Sequence, residues 1–193
     1  MSSREFKKAS FVALNMLKEN GFEAYLIGGS VRDFIMELPI GDIDITTNAT
    51  PNQVKEVFKD FRVIETGIKH GTVTVLVDNE PIEITTYRSE TTYSDNRHPD
   101  SVSFSNSLED DVIRRDFTMN AIAYNFQNGF CDYTGGIDDI KNKTIRCIGD
   151  AELRFREDAL RILRALRFSS VLGFTIEEKT SLAIHKCKNL LKN

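Results

Sequence analysis

Two groups of residues near the N-terminus have the types and spacing to bind an anion and a cation close together. Gly28 and Gly29 follow an apolar run at 25–27 and open a short helical pattern. A strand–glycine–helix unit can bind phosphate, because its backbone N–H groups and the N-terminus of the helix point at the anion. Asp42 and Asp44 are two residues apart in a predicted strand, so both carboxylates lie on one face and could hold a divalent cation.

Each group also has an ordinary structural explanation. A glycine pair is most often simply a turn, and aspartates at the start of a strand are commonly solvated turn residues. Two close carboxylates nevertheless repel each other by about 1 kcal/mol or more unless a cation neutralises them. The proximity of a candidate phosphate site to a candidate metal site therefore indicates nucleotide chemistry.

The hydrophobic pattern predicts an α+β domain that positions these residues, followed by helices alone. Strands are predicted at 24–27, 42–46, 62–65, 72–77, 82–86, 122–126, 130–133 and 144–148. Helices are predicted at 4–19, 30–37, 51–59 and 109–122, from 152 to a stop at Gly173, and from 177 onward. The polar stretch 89–107 has little periodicity and is expected to be a mobile loop.

The change of pattern divides the chain into an α+β domain over 1–148 and the beginning of an all-helical region over 149–193. A single pair of helices cannot easily bury its own apolar faces. We therefore expect this sequence to be the N-terminal part of a longer protein.

Composition excludes several classes of protein. The chain has 193 residues with 40% apolar and 28% charged residues, which is typical of a globular domain with a core of its own. No stretch approaches the length of a membrane span, and the N-terminus has no signal-peptide core, so we expect no membrane partner and a cytoplasmic location. Three cysteines and three histidines show no disulfide or zinc spacing.

Charge is distributed unevenly along the chain. The net charge of −4 is unlike that of a free-standing nucleic-acid-binding domain. Five arginines nevertheless fall between residues 154 and 167. Such a stripe could meet phosphates or could be a solvated helix face.

Two later motifs bring further polar groups together. Residues 114–121 read R-R-D-F-T-M-N-A, a set that could bind phosphate, ribose hydroxyl and base, or could cap a helix. In the stretch 154–168, Glu157, Asp158 and Arg161 have helical spacing and are expected to share one face. Taken alone, that second group would be an ordinary surface salt bridge.

The motifs G-G-S-V-R-D, D-I-D, R-R-D-F-T-M-N-A, G-G-I-D-D and E-D-A-L-R occur in this order within residues 22–176. This set resembles the class II tRNA nucleotidyltransferase/poly(A) polymerase family of the polymerase-β-like nucleotidyltransferase superfamily. The resemblance implies an α+β head with a mixed sheet of about five strands flanked by helices, followed by the start of a helical neck. It also implies an enzyme that adds nucleotides to an RNA 3′ end without a template.

The resemblance assigns the catalytic residues motif by motif. Asp42 and Asp44 would hold two Mg²⁺ ions, which would activate the RNA 3′-hydroxyl and stabilise the triphosphate. Glu83, flanked by apolar residues in a predicted strand, is proposed as a third catalytic carboxylate.

The same resemblance assigns the nucleotide-binding residues, which are Gly28, Gly29, Arg32, Arg115, Asp116, Asn120, Glu157, Asp158, Arg161 and Arg164. The first three would hold the triphosphate, and the next three would bind the sugar and phosphates. Asp158 and Arg161 would form hydrogen bonds with the Watson–Crick edge of cytosine or adenine, while Glu157 would orient Arg161.

Two segments favour one branch of the family. Residues 66–73 resemble the CCA-adding members, and residues 93–100 resemble the flexible loop with which complete or A-adding enzymes switch to ATP. We therefore expect addition of CCA to the tRNA 3′ end from CTP and ATP. The alternatives are a poly(A) polymerase or A-adding relative, and a nucleotide-binding module without turnover. A glycosyltransferase with a D-x-D metal site would leave the two later motifs unexplained.

Overall fold

A central mixed sheet forms the N-terminal part of the protein, and helices follow it. The computed structural model describes residues 6–90 and 102–192. In chain order the strands are β1 (Ala24–Ile27), β2 (Ile43–Thr47), β3 (Arg62–Ile64), β4 (Thr72–Val77), β5 (Glu80–Thr86), β6 (Arg88–Glu90), β7 (Val102–Phe104), β8 (Ile122–Asn125), β9 (Gly129–Asp132), β10 (Thr144–Ile145) and β11 (Thr175–Ile176).

The helices cover the sheet and continue beyond it. They are α1 (Lys8–Glu19), α2 (Gly29–Ile35), α3 (Pro51–Val57), α4 (Leu108–Ile113), α5 (Gly136–Lys141), α6 (Ala151–Glu157), α7 (Leu160–Leu172) and α8 (Glu178–Cys187). Short 3-10 helices lie at Ile68–His70, Thr118–Asn120 and Lys188–Lys192. The α+β class expected from the pattern is confirmed.

The central sheet has the strand order β3-β4-β5-β2-β1-β8-β9. The β2–β5 pair is parallel, and the other neighbours in this sheet are antiparallel. The sheet therefore has seven strands where the family resemblance indicated about five. The hydrophobic periodicity had marked all seven segments, and the two outermost, β3 and β9, are short strands paired on one side only.

Buried side chains on both faces of the sheet explain its central strands. All four residues of β1 are buried, with Ala24 and Leu26 in a large core cluster and Tyr25 and Ile27 in a smaller one on the other face. Strand β4 alternates, burying every second residue. Period-two alternation is the pattern of a strand that packs one face on a core, so the sequence signal there was direct.

The helical segment packs against the same core as the sheet. Phe155, Ile162 and Ala165 of α6 and α7 are buried in one cluster with Ile145 and Cys147. The division at residues 148 and 149 stays a prediction. Among the described residues, no helix combines the length and apolar character needed to span a bilayer.

Two predicted helices are interrupted. The helix expected at 109–122 ends at Ile113, because Phe117 adopts an extended conformation, is fully buried and bridges to Cys147. The helix expected from 152 is broken at Asp158, which has φ −141° and ψ 102°. Tertiary packing overrides helical periodicity at both places.

The break at Asp158 corrects one sequence-based expectation. Glu157 ends α6 and Arg161 lies in α7, whereas Asp158 stands between the helices and accepts a hydrogen bond from the Leu160 backbone N–H at 2.9 Å. The three residues therefore do not share one helical face.

The two described ends of the stretch expected to be a loop contain strands. Strand β6 pairs with β7, and α4 begins at Leu108, directly after the stretch. The expected strand at 144–148 is shortened to β10, which pairs in parallel with β11. Strand β11 is only two residues long and leaves no periodicity to detect. The loop at 93–100 lies outside the described residues.

Candidate active site

The glycine turn between β1 and α2 leaves a space between two charged groups. Gly28 has φ +78°, a conformation that L side chains rarely adopt. A Cβ at this position would lie 3.4 Å from Asp44 Oδ2 and 3.8 Å from Arg115 Nη1. Because Gly28 has no side chain, its backbone can lie next to a carboxylate and a guanidinium simultaneously. Gly29, the first residue of α2, lies near the Arg32 guanidinium in the same way.

The aspartate strand has the orientation predicted from its sequence. Ile43 and Ile45 are buried, whereas Asp42 is exposed and Asp44 half-buried. In the parallel β2–β5 pair, Asp44 is in register with Glu83, which is exposed. Two neighbouring strands thus bring a pair of carboxylates to the same level of the sheet.

Asp44 is held in an unfavourable environment for a negative charge. Burial, and then the charge of Glu83, raise the pKa of Asp44 to about 6, against the lowering effect of Arg115 and with a further contribution from Asp42. A cation bound nearby would favour the ionised carboxylate and lower this pKa, so cation binding and loss of the proton would be coupled.

The donor set around Asp44 fits Mg²⁺ shared with a ligand. Among the described residues, no group of three His, Cys, Asp or Glu side chains is gathered to hold a metal ion by itself. Mg²⁺ is usually held by one or two carboxylates together with water and substrate phosphates. Asp42 and Asp44 fit that pattern and would hold Mg²⁺ if the phosphate oxygens of a ligand supplied further contacts.

Arg115 reaches this space from the end of α4. Its Nη2 donates to Asp111 Oδ2 at 3.1 Å, and Asp111 also accepts from the neighbouring Arg114 at 2.6 Å. Burial alone would raise the pKa of the fully buried Asp111, but Arg115 and Arg114 outweigh it and the pKa is lowered. Our sequence reasoning missed Asp111, although its i, i+3 and i+4 spacing to the two arginines was a detectable signal.

Four of the predicted nucleotide-binding residues form one continuous network. Arg32 Nη1 donates to Asn120 Oδ1 at 2.9 Å, Asn120 Nδ2 donates to Asp116 Oδ1 at 3.5 Å, and Arg164 Nε donates to Asp116 Oδ2 at 2.6 Å. The ring of Phe168 lies 5.4 Å from the guanidinium carbon of Arg32 and 5.5 Å from that of Arg164. Sequence reasoning did not identify Phe168, which looked like one more apolar helix residue.

The G-G-I-D-D motif packs against the segment that carries two residues of this network. A Cβ on Gly136 would lie 2.1 Å from the carbonyl oxygen of Thr118, so only glycine allows α5 to approach the 3-10 turn. Thr118 donates to Asp139 at 2.7 Å, and Arg146 pairs with the same carboxylate at 3.0 Å. The motif thus fixes the segment that carries Asp116 and Asn120.

Glu157 and Arg161 are paired, as the sequence predicted, across the break between α6 and α7. Arg161 is 7% exposed, and its Nη1 donates to Glu157 Oε2 at 3.0 Å. Glu157 Oε2 also accepts from Arg154 Nη1 at 3.0 Å. Asp158 is separated from this pair by the helix break described above.

Two cavities of the described chain lie apart from the predicted site residues. A cavity of about 730 Å³ lies beside Thr118, Arg146 and Glu177, and another of about 370 Å³ lies between α1 and the β8–β9 turn. None of the predicted site residues lines either one. The candidate site is located by its charged groups, which is typical of a surface that binds a polyanion.

The sheet and the site together have the organisation of a nucleotidyltransferase head domain. In agreement, residues 24–146 match the family described as the poly A polymerase head domain. Because this match covers more than half of the chain, the chain belongs to that family. The family expected from the five motifs is thereby confirmed.

Two of the similar proteins are CCA-adding enzymes. The CCA-adding enzyme of Bacillus cytotoxicus is 50% identical over 190 residues, covering 98% of this chain and 47% of the relative. The solved structure of the Bacillus stearothermophilus CCA-adding enzyme in complex with CTP has a TM-score of 0.87 at 43% identity, covering 96% of this chain and 45% of that one. The chain spans about half the length of the relatives it matches.

A further similar structure was solved with tRNA and a nucleotide analogue bound. A tRNA nucleotidyltransferase complexed with a primer tRNA and an incoming ATP analogue matches with a TM-score of 0.75 at 33% identity, covering 92% of this chain and 50% of that one.

Proposed function

We propose that this chain is the N-terminal part of a CCA-adding tRNA nucleotidyltransferase. The complete enzyme transfers CMP and AMP from CTP and ATP to the tRNA 3′ end without a nucleic-acid template. The observation that carries the proposal is the approach of Asp44 and Arg115 to the backbone of Gly28. A carboxylate that would bind the metal ion and a guanidinium that would bind phosphate both lie next to Gly28, which has no side chain. This arrangement suits a triphosphate bound together with its cation.

Asp42 and Asp44 would hold Mg²⁺, and Glu83 would add a third carboxylate next to them. Bound Mg²⁺ supplies neutralisation of the triphosphate and activation of the RNA 3′-hydroxyl, whose oxygen attacks the α-phosphorus as pyrophosphate leaves. Arg32 and Arg115 bind the phosphates and limit their movement. The neighbouring charges of Glu83 and Asp42 destabilise the ionised form of Asp44, and a bound cation would relieve this repulsion.

The choice of base is assigned to the junction of α6 and α7. The Glu157 carboxylate fixes the plane of the Arg161 guanidinium, which can then donate to a ring nitrogen or carbonyl of the base. Asp158 Oδ1 accepts from the Leu160 backbone N–H, and within the described residues its Oδ2 accepts no hydrogen bond, so Oδ2 is available to an exocyclic amine. Selection of this kind is strong, because a wrong base leaves buried charged groups unpaired.

The partners follow from the same assignment. The tRNA 3′ end would approach Asp42 and Asp44, and the remaining half of the longer relatives would supply the grip on the rest of the tRNA. The cytoplasm, where tRNA and nucleoside triphosphates occur together, is the proposed location.

A second candidate is a poly(A) polymerase or A-adding relative, which the name of the matching family favours. It differs by accepting ATP alone. The third candidate is a nucleotide-binding module without turnover. Nucleotide-binding measurements on this chain distinguish the CCA-adding enzyme from the poly(A) polymerase. Incorporation assays on a chain as long as the relatives distinguish both of them from a module without turnover.

The test is calorimetric binding of CTP, ATP, UTP and GTP to this chain with Mg²⁺. We expect CTP and ATP to bind more tightly than UTP and GTP, and Arg161→Ala to remove the preference with less effect on overall affinity. Arg167→Ala is the matched control, because Arg167 is exposed on the same helix. Equal binding of all four nucleotides, unchanged in Arg161→Ala, would contradict the assignment of base recognition. A preference for ATP alone would favour the second candidate.

A further inference from the structure

We propose that Asp111 is a positioning residue that holds Arg115 with its Nη1 directed at the triphosphate site. This inference rests on the proposed function and adds to it a residue outside the R-R-D motif. The residue touches no nucleotide in the assignment above, and it acts through the arginine four residues later.

The hydrogen bonds of Asp111 account for both of its carboxylate oxygens. Oδ1 accepts from Arg114 at 2.6 and 3.1 Å and from the backbone N–H of Arg88 at 3.4 Å. Oδ2 accepts from Arg115 Nη2 at 3.1 Å and from the Thr46 hydroxyl at 3.0 Å. A carboxylate that is fully buried and satisfied in this way cannot easily rotate, so the arginine bound to it is fixed in direction.

Arg115 keeps donors available on its other side. Its Nε is buried, and within residues 6–90 and 102–192 neither Nε nor Nη1 has a hydrogen-bond partner. Nη1 is the atom that a Cβ on Gly28 would approach to 3.8 Å, beside Asp44 Oδ2. Nη1 is therefore placed to donate to a phosphate oxygen in the space by Gly28, and the buried, unpartnered Nε adds to the cost of leaving this guanidinium without a ligand.

Thr46 connects this arrangement to the aspartate strand. It lies on β2 two residues after Asp44, so both side chains leave the same face of the strand. Asp111 therefore binds Arg115 and the strand of the proposed metal ligands simultaneously. The buried carboxylate of Asp111 therefore sets the distance between the proposed cation site and the Arg115 donors that would bind phosphate.

The experiment measures Mg²⁺-dependent CTP binding by calorimetry for the wild-type chain, Asp111→Asn, Arg115→Gln and the double variant. We expect Asp111→Asn to raise the Kd for CTP about tenfold, since an amide cannot replace the charged acceptor. In the Arg115→Gln background the same change is expected to add less than about twofold. CMP, which lacks the β- and γ-phosphates, is expected to lose little affinity.

A purely structural role gives a different result. It would lower the fraction of binding-competent protein, seen as reduced stoichiometry, while the Kd of the folded fraction stayed at the wild-type value. That result, or equal effects of Asp111→Asn in both backgrounds, overturns the inference while leaving the proposed function intact. Absence of CTP binding by the wild-type chain overturns both.

Arg115→Lys keeps the test decisive if Asp111→Asn does not fold. Lysine retains the charge but lacks the planar fork that binds Asp111 on one side and a phosphate on the other. We expect it to bind CTP as weakly as Arg115→Gln. Wild-type affinity in Arg115→Lys would show that held geometry is unnecessary and would overturn the inference.

Discussion

Arg161 Nη2 donates a hydrogen bond to the backbone carbonyl of Arg114 at 3.3 Å, joining the helical segment to the residue that precedes Arg115. Arg154 makes a second such bond, from its Nη2 to the carbonyl of Ile113 at 2.8 Å. Carbonyl groups at the C-terminus of a helix lack intrahelical partners and attract cations. The residues assigned to base selection and to triphosphate binding are therefore held by adjacent points of the backbone at the end of α4.

Gly28→Ala tests the space between Asp44 and Arg115. We expect a loss of about 1–3 kcal/mol in stability, because the combination of φ +78° and ψ −138° is unfavourable for alanine. We also expect CTP affinity to fall, because the new methyl group occupies the proposed phosphate position. Gly21→Ala is the matched control, since Gly21 has φ +85° with open space around its Cβ position. Similar CTP binding by the two variants would contradict the role of Gly28.

Asp44→Asn tests the electrostatics of the site in metal-free buffer. Because the folded pKa of Asp44 is about 6 and its usual value is 3.8, the folded protein binds the proton more tightly than the unfolded chain. Asp44 therefore lowers stability as pH rises from about 4 to about 6. Glu83, Asp42 and Arg115 are the charged groups that set this value.

The asparagine variant should be more stable than wild type by about 1–2 kcal/mol above pH 6, after allowance for solvent screening, and equally stable below pH 4. Urea denaturation across this pH range measures the difference. Asp60→Asn removes a charge at an exposed position and serves as the control. A stability difference that stays constant with pH would argue against the strained carboxylate.

Glu157→Gln tests the orientation of Arg161. The substitution removes a charged acceptor shared by two partly buried arginines, so we expect about 1–3 kcal/mol of destabilisation. We further expect the ratio of the UTP and CTP dissociation constants to approach one, since Arg161 is no longer held in one plane. Glu178→Gln changes an exposed glutamate in the first turn of α8 as the control. An unchanged UTP/CTP ratio in folded Glu157→Gln would remove Glu157 from base selection.

Phe168→Leu tests the ring that lies beside both Arg32 and Arg164. Cation–π contacts contribute about 0.5–1 kcal/mol each at partly exposed sites, so CTP binding is expected to weaken several-fold. Phe130→Leu, at an exposed aromatic position on β9, is the control for loss of a ring. Equal CTP affinity of the two variants would show that Phe168 is a packing residue alone.

Local signals in the sequence predicted much of the fold and the orientation of the aspartate strand. Period-two alternation located the strands, including the 72–77 and 82–86 hairpin, and Thr50 and Pro51 predicted a helix start that proves to be a complete capping box. The D-I-D spacing correctly placed Asp42 and Asp44 opposite two buried isoleucines. These features depend on neighbours two to four residues apart, which is the range that periodicity reports.

The tertiary structure decided the contacts that span the chain. Arg32 and Asn120 are 88 residues apart yet share a hydrogen bond, and no local sequence pattern predicts such a pair. Packing of Phe117 ended one predicted helix, and the break at Asp158 separated it from Arg161. In the sequence, Asp111 is one of several acidic residues in a predicted helix. Only the structure shows that it is buried and paired with two arginines. The sequence by itself determined which residues could do the chemistry, whereas long-range packing decided which of them meet, because burial and charge pairing depend on distant parts of the chain.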